Sequence, residues 1–296
     1  MNRLRISIAE IKLYWRHASR SYFWIIIALG FTFLSILEVY SLTTSYRFDI
    51  YPLKWDFFSV LEGSMNYWLI FIVSASLLIS EEREDATWDI MRSMKASKGA
   101  LLAGKFIWLQ LFSLILLIVS YAVTAVFLLS NAITFSWADV PPLVSILLSF
   151  WALTALFNVF GLLFSSMFSK KITSVVAVIA TWILLSVIGA GIMSSSYVES
   201  FFTPTTPGPT GLPLIFKIGI LLDPYYFVGM VADLNSLYLI DVPVGPNNGV
   251  QLSTPVLFFS PGFGYIWIFM AFILVCTFLI YILLRVKDQW GVFGGQ

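Results

Sequence analysis

The chain is poor in the residues that carry most enzyme chemistry. Its 296 residues include one cysteine, Cys276, and one histidine, His17. One cysteine excludes an internal disulfide framework and a multi-cysteine metal site, and one histidine argues against a metal enzyme built on a histidine cluster. Charged residues make up 11% of the chain, whereas soluble domains have about 25%. The net charge of +1 gives no sign of a nucleic-acid partner.

Apolar residues are correspondingly abundant. They make up 59% of the chain, and the mean hydropathy is +0.90. Because a helix needs roughly 20 mostly apolar residues to cross a bilayer, the sequence predicts an all-α membrane protein with a single transmembrane domain over residues 1–296. The six predicted transmembrane helices cover residues 22–42, 64–80, 106–129, 143–168, 172–193 and 263–284.

The basic residues are distributed unevenly between the two sides of this topology. The N-terminal segment, the 81–105 loop, the 170–171 turn and the C-terminus hold all but three of the 17 lysines and arginines. Arg47, Lys54 and Lys217 fall on the other side. Since lysine and arginine are enriched in cytoplasmic loops, we predict that both termini are cytoplasmic.

Residues 1–21 are predicted to form an interfacial helix. Leu4, Ile8, Ile11 and Trp15 recur at steps of three and four, which places them on one helical face. Arginines fall on another face, as in amphipathic helices that lie in the headgroup region. The pattern fits a membrane-surface anchor, and it also fits a helix that contacts a partner subunit.

Residues 194–262 are predicted to form a long segment on the outer side. Most of the twelve prolines lie here, and the stretch TPTTPGPTGLP interrupts any helix repeatedly. Leu212–Leu222 is apolar but too short to cross the bilayer, so it is a candidate re-entrant helix, which is tolerated where protein or water covers its backbone.

The stretch GALLAGKF, residues 99–106, contains the G-x-x-x-x-G-K core of a phosphate-binding loop. Such a loop requires a preceding strand, a following helix and a serine or threonine after the lysine. Phe106 occupies that last position and begins a predicted span. We therefore predict that Gly104 and Lys105 mark the cytoplasmic start of the third span, with the Lys105 ammonium reaching the lipid headgroups.

The 81–105 loop has an ordered pattern of charge. Its acidic residues come first and its basic residues later, as suits a helix whose N-terminus favours negative charge. Ile90, Met91 and Met94 supply a small apolar face, and Trp88 adds a bulky anchor. The pattern predicts a short amphipathic helix on the cytoplasmic side, although charge alone favours a solvated loop that follows the positive-inside rule.

The order of residues in this loop resembles the signature of the permease subunits of type-2 ABC exporters. That signature opens acidic-basic-acidic, continues through Gly-Thr and later serine positions, and ends in Gly-Lys. The matching residues are Glu82, Arg83, Glu84, Thr87, Ser93, Ser97, Lys98, Gly104 and Lys105. Ala86 and Lys95 depart from the usual glycine and proline. LLDPYYFVG, residues 221–229, more weakly resembles a stretch that such permeases carry before their last span.

The resemblance implies that the chain is not itself an ATPase. Two copies of a separate ABC ATPase subunit, carrying ATP and Mg²⁺, would dock on a coupling helix in the 81–105 loop, and a second permease, identical or related, would complete the complex in a prokaryotic cell membrane. Thr87, or its rival Asp85, would start the coupling helix. The residues expected to couple to the ATPase are Glu82, Arg83, Glu84, Thr87, Trp88, Met91 and Lys98.

The spans contain almost no ionisable residues, with Glu38 as the main exception. Glu38 is either part of a pathway or a solvated residue near the outer interface. A pathway without fixed charge favours export of a lipid, a glycolipid or an apolar peptide. The sequence leaves open a complex that transmits force through residues 194–262 to an extracytoplasmic partner, an ion-coupled secondary transporter, and a membrane-embedded enzyme.

Overall fold

The computed structural model describes residues 8–9, 11–13, 22–45, 69–85, 98–130, 137, 140–193 and 264–290. These residues contain six helices of 16 residues or more and no β-strand. The helices are α1 (Tyr22–Ser45), α2 (Leu69–Glu84), α3 (Lys98–Ser130), α4 (Val140–Met167), α5 (Lys171–Met193) and α6 (Gly264–Trp290).

Each of the six helices overlaps one of the predicted spans. The largest difference is at α3, which begins at Lys98 and not at residue 106. Its first turns continue the helix because Ala100, Leu101 and Leu102 are buried against the rest of the bundle, so apolar packing extends the element beyond the uninterrupted apolar run.

Three of the helices are long and apolar enough to cross a membrane. Within the described part of the chain they are Lys98–Phe127, Phe150–Met167 and Lys171–Ile188. Shorter apolar stretches occur at Trp24–Tyr40 and Ala271–Val286.

Two predicted elements fall largely beyond what the structure describes. Of the 1–21 interfacial helix, residues 8–9 and 11–13 are described, and they are helical. Ile8 and Leu13 are exposed there. The predicted outer segment 194–262 lies wholly outside the described residues.

Helix α4 is the centre of the bundle. It packs most extensively against α2 and also contacts α3, α5 and α6. Helix α5 packs on α2 as well as on α4, and α1 packs on α3. No charged residue occurs anywhere in α4, as expected for a helix that is surrounded by other apolar helices.

Large aromatic side chains join α1 to its neighbours. Trp24 meets Phe112 of α3 edge-to-face, with ring centroids 4.9 Å apart, and it also contacts Trp108. Phe31 packs in the same manner against Phe71 of α2. Aromatic rings prefer such edge-to-face geometries. The rings fill the contact between α1 and its neighbours.

The interface between α2 and α4 is built in the opposite way, from small residues. Gly161 of α4 faces the backbone of α2, and a Cβ placed on this glycine would lie 2.6 Å from the Cβ of Ala75 and 3.1 Å from the amide nitrogen of Ser76. Small residues let helices approach closely in membranes, so the α2 and α4 backbones are in direct contact here.

Neutral hydrogen bonds connect α3 with α4 along their length. The Trp151 indole donates to the Gln110 carbonyl at 2.9 Å, and the Tyr121 hydroxyl donates to the Leu143 carbonyl at 2.8 Å. The Asn158 amide also donates to the Ser113 hydroxyl at 3.1 Å. These bonds give the polar groups hydrogen-bond partners inside a bilayer, where water cannot serve as one.

Candidate functional site

One end of the bundle carries nearly all the charge of the described helices. It is the end at which α2 and α4 finish and at which α3 and α5 begin, and we call it the charged end. Along α1 to α6, every charged residue except Glu38 lies at this end. The segment that joins α2 to α3 begins and ends here, so this end is the candidate site.

Glu82 and Lys105 form an ion pair inside the protein. The Lys105 ammonium contacts Glu82 Oε1, with side-chain exposures of 1% and 11%. Such a buried pair persists only with close geometry, because both ions have lost their hydration. The pair therefore joins the last turn of α2 to the second turn of α3, across the connecting segment.

Arg83 and Glu84 hold the turn between α4 and α5. Arg83 Nη1 donates to the carbonyl of Ser166 at 2.7 Å, and Glu84 Oε2 accepts from the backbone N–H of Lys171 at 2.9 Å. The last carbonyls and first amides of a helix have no partner within it. A cation suits the C-terminal end of a helix and an anion the N-terminal end, so each side chain caps the helix end that its charge favours.

Lys98, on the far side of the connecting segment, reaches the sixth helix. Its ammonium donates to the carbonyl of Leu284 in α6 at 3.4 Å. The residues that flank the 86–97 segment are thereby bonded to α3, α4, α5 and α6. The charged end gathers the ends of five helices around the two points where this segment leaves and rejoins the bundle.

Serine hydroxyls complete the junction, and sequence reasoning missed them. Ser165 Oγ accepts hydrogen bonds from the amides of Ile79 and Ser80, at 2.8 and 2.9 Å. Ser174 Oγ of α5 donates to the Ser76 carbonyl at 2.9 Å. The spacing of Gly161 and Ser165 is a small-xxx-small pattern, which is the signal that could have identified this face of α4.

The structure brings several of the predicted coupling residues together. Glu82, Arg83, Glu84, Lys98 and Lys105 all lie at the charged end, where their bonds are to other helices of the same chain. Thr87, Trp88 and Met91 lie outside the described residues, so their part in coupling stays a prediction. Glu38 is half-buried on α1, away from the charged end.

The expected position of Lys105 differs from the one observed. In place of a side chain that reaches the lipid headgroups, the structure shows an almost fully buried ammonium beside Glu82. Gly104 next to it is buried as well. The reason is that the helix starts at Lys98, so Lys105 is already in its second turn and faces α2.

The GALLAGKF stretch is helical throughout. Residues 99–106 belong to the first turns of α3, where backbone amides beyond the first turn bond within the helix. A phosphate-binding loop needs those amides turned toward the anion. The described side chains also contain no cluster of three or more His, Cys, Asp or Glu residues that could hold a metal ion.

The helical bundle and its apolar spans define a multi-pass membrane protein. A family model described as "ABC-2 family transporter protein" matches residues 13–189, which is more than half of the chain. The chain therefore belongs to the ABC-2 transporter family, whose membrane subunits work with a separate ABC ATPase. Comparison with proteins of curated function gives no significant match.

Proposed function

We propose that this chain is the permease subunit of an ABC exporter and that its ATPase partner docks on the segment between α2 and α3. The observation that carries the proposal is the bonding around that segment. Glu84 and Lys98 flank it, and they are bonded to α5 and α6. A protein that pushed on residues 86–97 would act on every helix from α2 to α6.

The complex that we propose contains two permeases, identical or related, and two ATPase subunits that bind ATP and Mg²⁺. The charged end faces the cytoplasm, which agrees with the basic residues of the 170–171 turn and the C-terminus. All six helices cross a prokaryotic cell membrane in this arrangement, and both termini are cytoplasmic.

The proposed cargo is a lipid, a glycolipid or an apolar peptide. Beyond the charged end, the polar residues buried in α3 and α4 are neutral and include Gln110, Ser113, Thr154 and Asn158. Side chains of this kind can exchange hydrogen bonds with hydroxyl or amide groups, and they provide no fixed charge for a coupling ion. This supports an amphipathic or apolar cargo over an ion-coupled mechanism.

The test is purification of the chain from its native membranes in mild detergent, followed by mass spectrometry and an ATPase assay. We expect a stoichiometric ABC ATPase with vanadate-sensitive activity. Trp88→Ala is expected to lower the recovery of the ATPase by tenfold or more, because truncating a central aromatic residue at an interface costs about 2 kcal/mol or more.

Trp137→Ala is the matched control for that variant. Trp137 is 90% exposed and lies between α3 and α4, at the end of the bundle opposite the charged end. Its truncation should leave ATPase recovery unchanged. A wild-type preparation that contains no ATPase would overturn the proposed function. Equal losses of the ATPase in the two tryptophan variants would overturn the proposed docking site.

A further inference from the structure

Three of the four charged residues at the end of α2 contact three different helices. Successive residues of an α-helix are rotated by about 100°, so Glu82, Arg83 and Glu84 together cover more than half of the helix circumference. Glu82 contacts Lys105 of α3, Arg83 bonds to the end of α4, and Glu84 bonds to the start of α5. One turn of α2 is thus attached to three neighbouring helices at once.

These bonds occupy groups that a docking partner would otherwise have to use. Glu82 is buried and its carboxylate is engaged by Lys105. The Arg83 guanidinium and the carboxylate of the exposed Glu84 cap helix ends. To recognise an ATPase surface, each of these side chains would first have to give up the bond that it makes within the chain. The residues suited to that contact are those of the segment 86–97 itself.

We propose that Glu82, Arg83 and Glu84 are positioning residues that transmit movement of the 86–97 segment to α3, α4 and α5. They do not contact the ATPase in this arrangement, which departs from the role that the sequence resemblance implies for them. The proposal rests on the proposed function, since it requires an ATPase that moves the segment. It adds that docking and transmission are carried by different residues.

Two double variants separate a transmitting role from a docking role. Arg83→Lys with Glu84→Gln keeps a donor and an acceptor at the two caps but removes the carboxylate charge. Arg83→Ala with Glu84→Ala removes both caps. Glu81→Ala is the control, because Glu81 is the preceding carboxylate on the same turn and is not one of the three residues to which the proposal gives a role.

The readouts on the purified complex are ATPase recovery, ATP hydrolysis and helix movement. Spin labels at Ile107 of α3 and Val176 of α5, which are 41% and 59% exposed, report the separation of the two helices with and without ATP and vanadate. Cys276, the lone native cysteine, is replaced by serine in every labelled variant, including the reference protein.

The proposal expects both double variants to recover the ATPase at the reference level. The lysine–glutamine variant should also keep the ATP-dependent change in label separation, whereas the alanine variant should lose more than half of it while continuing to hydrolyse ATP. If the alanine variant does not fold, the lysine–glutamine variant decides the matter, because normal docking and movement without the Glu84 charge still support the proposal.

Two results would overturn the proposal. One is loss of the ATPase from the lysine–glutamine variant, which would show that the charge itself is recognised by the partner. The other is a full change in label separation in the folded alanine variant. An absence of ATPase from the reference preparation overturns the proposed function and this proposal together, whereas loss from the variant alone overturns only this proposal.

Discussion

Gly161 and Ala75 lie so close across the α2–α4 interface that a Cβ on the glycine would be 2.6 Å from the Cβ of the alanine. We predict that Gly161→Ala destabilises the protein by about 1–3 kcal/mol, the usual cost of overpacking, because the backbone of α2 would have to move. Thermal unfolding in detergent measures the change. Gly30→Ala is the control, since no atom lies within 4 Å of a Cβ there, and an equal loss in both variants would contradict the prediction.

We predict that Ser165 contributes more to stability than its neighbour Ser166. Its hydroxyl accepts from two amides of α2, whereas the Ser166 hydroxyl donates to Leu163 of its own helix at 2.7 Å. Ser165→Ala is expected to cost about 1–3 kcal/mol, the penalty for buried donors that lose an acceptor. Ser166→Ala should cost clearly less. A reversed order in the two unfolding temperatures would show that the cross-helix bonds contribute little.

The Glu82–Lys105 pair should show strong coupling in a double-mutant cycle. Glu82→Gln or Lys105→Met leaves one buried charge without its counterion, and we expect each change to cost about 3–5 kcal/mol. The double variant removes both charges and should be more stable than the sum of the single effects predicts. Unfolding free energies of the four proteins provide the measurement, and simple additivity would indicate that the ions do not interact.

Asn158 is expected to matter much less, although it is completely buried. Its amide bonds to Ser113 across α3 and α4, and such neutral bonds in membrane proteins contribute about 0.6 kcal/mol on average. Asn158→Leu should therefore change stability by under about 1 kcal/mol. If the variant keeps its stability but loses transport, the amide serves the cargo; a loss of several kcal/mol would refute the expectation.

The positions of the helices follow from the sequence because apolar length is a local property. Each predicted span overlaps a helix of the structure, since about 20 apolar residues suffice to fix such an element. Membership in the ABC-2 family is likewise confirmed by the match over residues 13–189, and the loop that carried the resemblance lies within that range.

The partners of the charged residues could not be read in the same way. Glu82 and Lys105 are 23 positions apart, and Arg83 and Glu84 bond to main-chain groups more than 80 positions away. A sequence pattern shows that a charge exists but not which helix end it meets. The nearest available signal is Lys105 itself, a cation inside an apolar helix, which calls for a counterion within the protein.

The α1 helix packs through aromatic side chains, whereas α2 and α4 pack backbone against backbone. This difference bears on which helices can slide past one another. Aromatic rings between α1 and α3 can change rotamer and give way, whereas the contact at Gly161 joins one main chain to another and has no rotatable bond to yield. Ser165 and Ser174 fasten α4 and α5 to neighbouring main-chain groups of α2, Ser165 to the amides of Ile79 and Ser80 and Ser174 to the carbonyl of Ser76. We therefore expect these three helices to move as one unit, with any relative movement taken up at their borders with α1, α3 and α6.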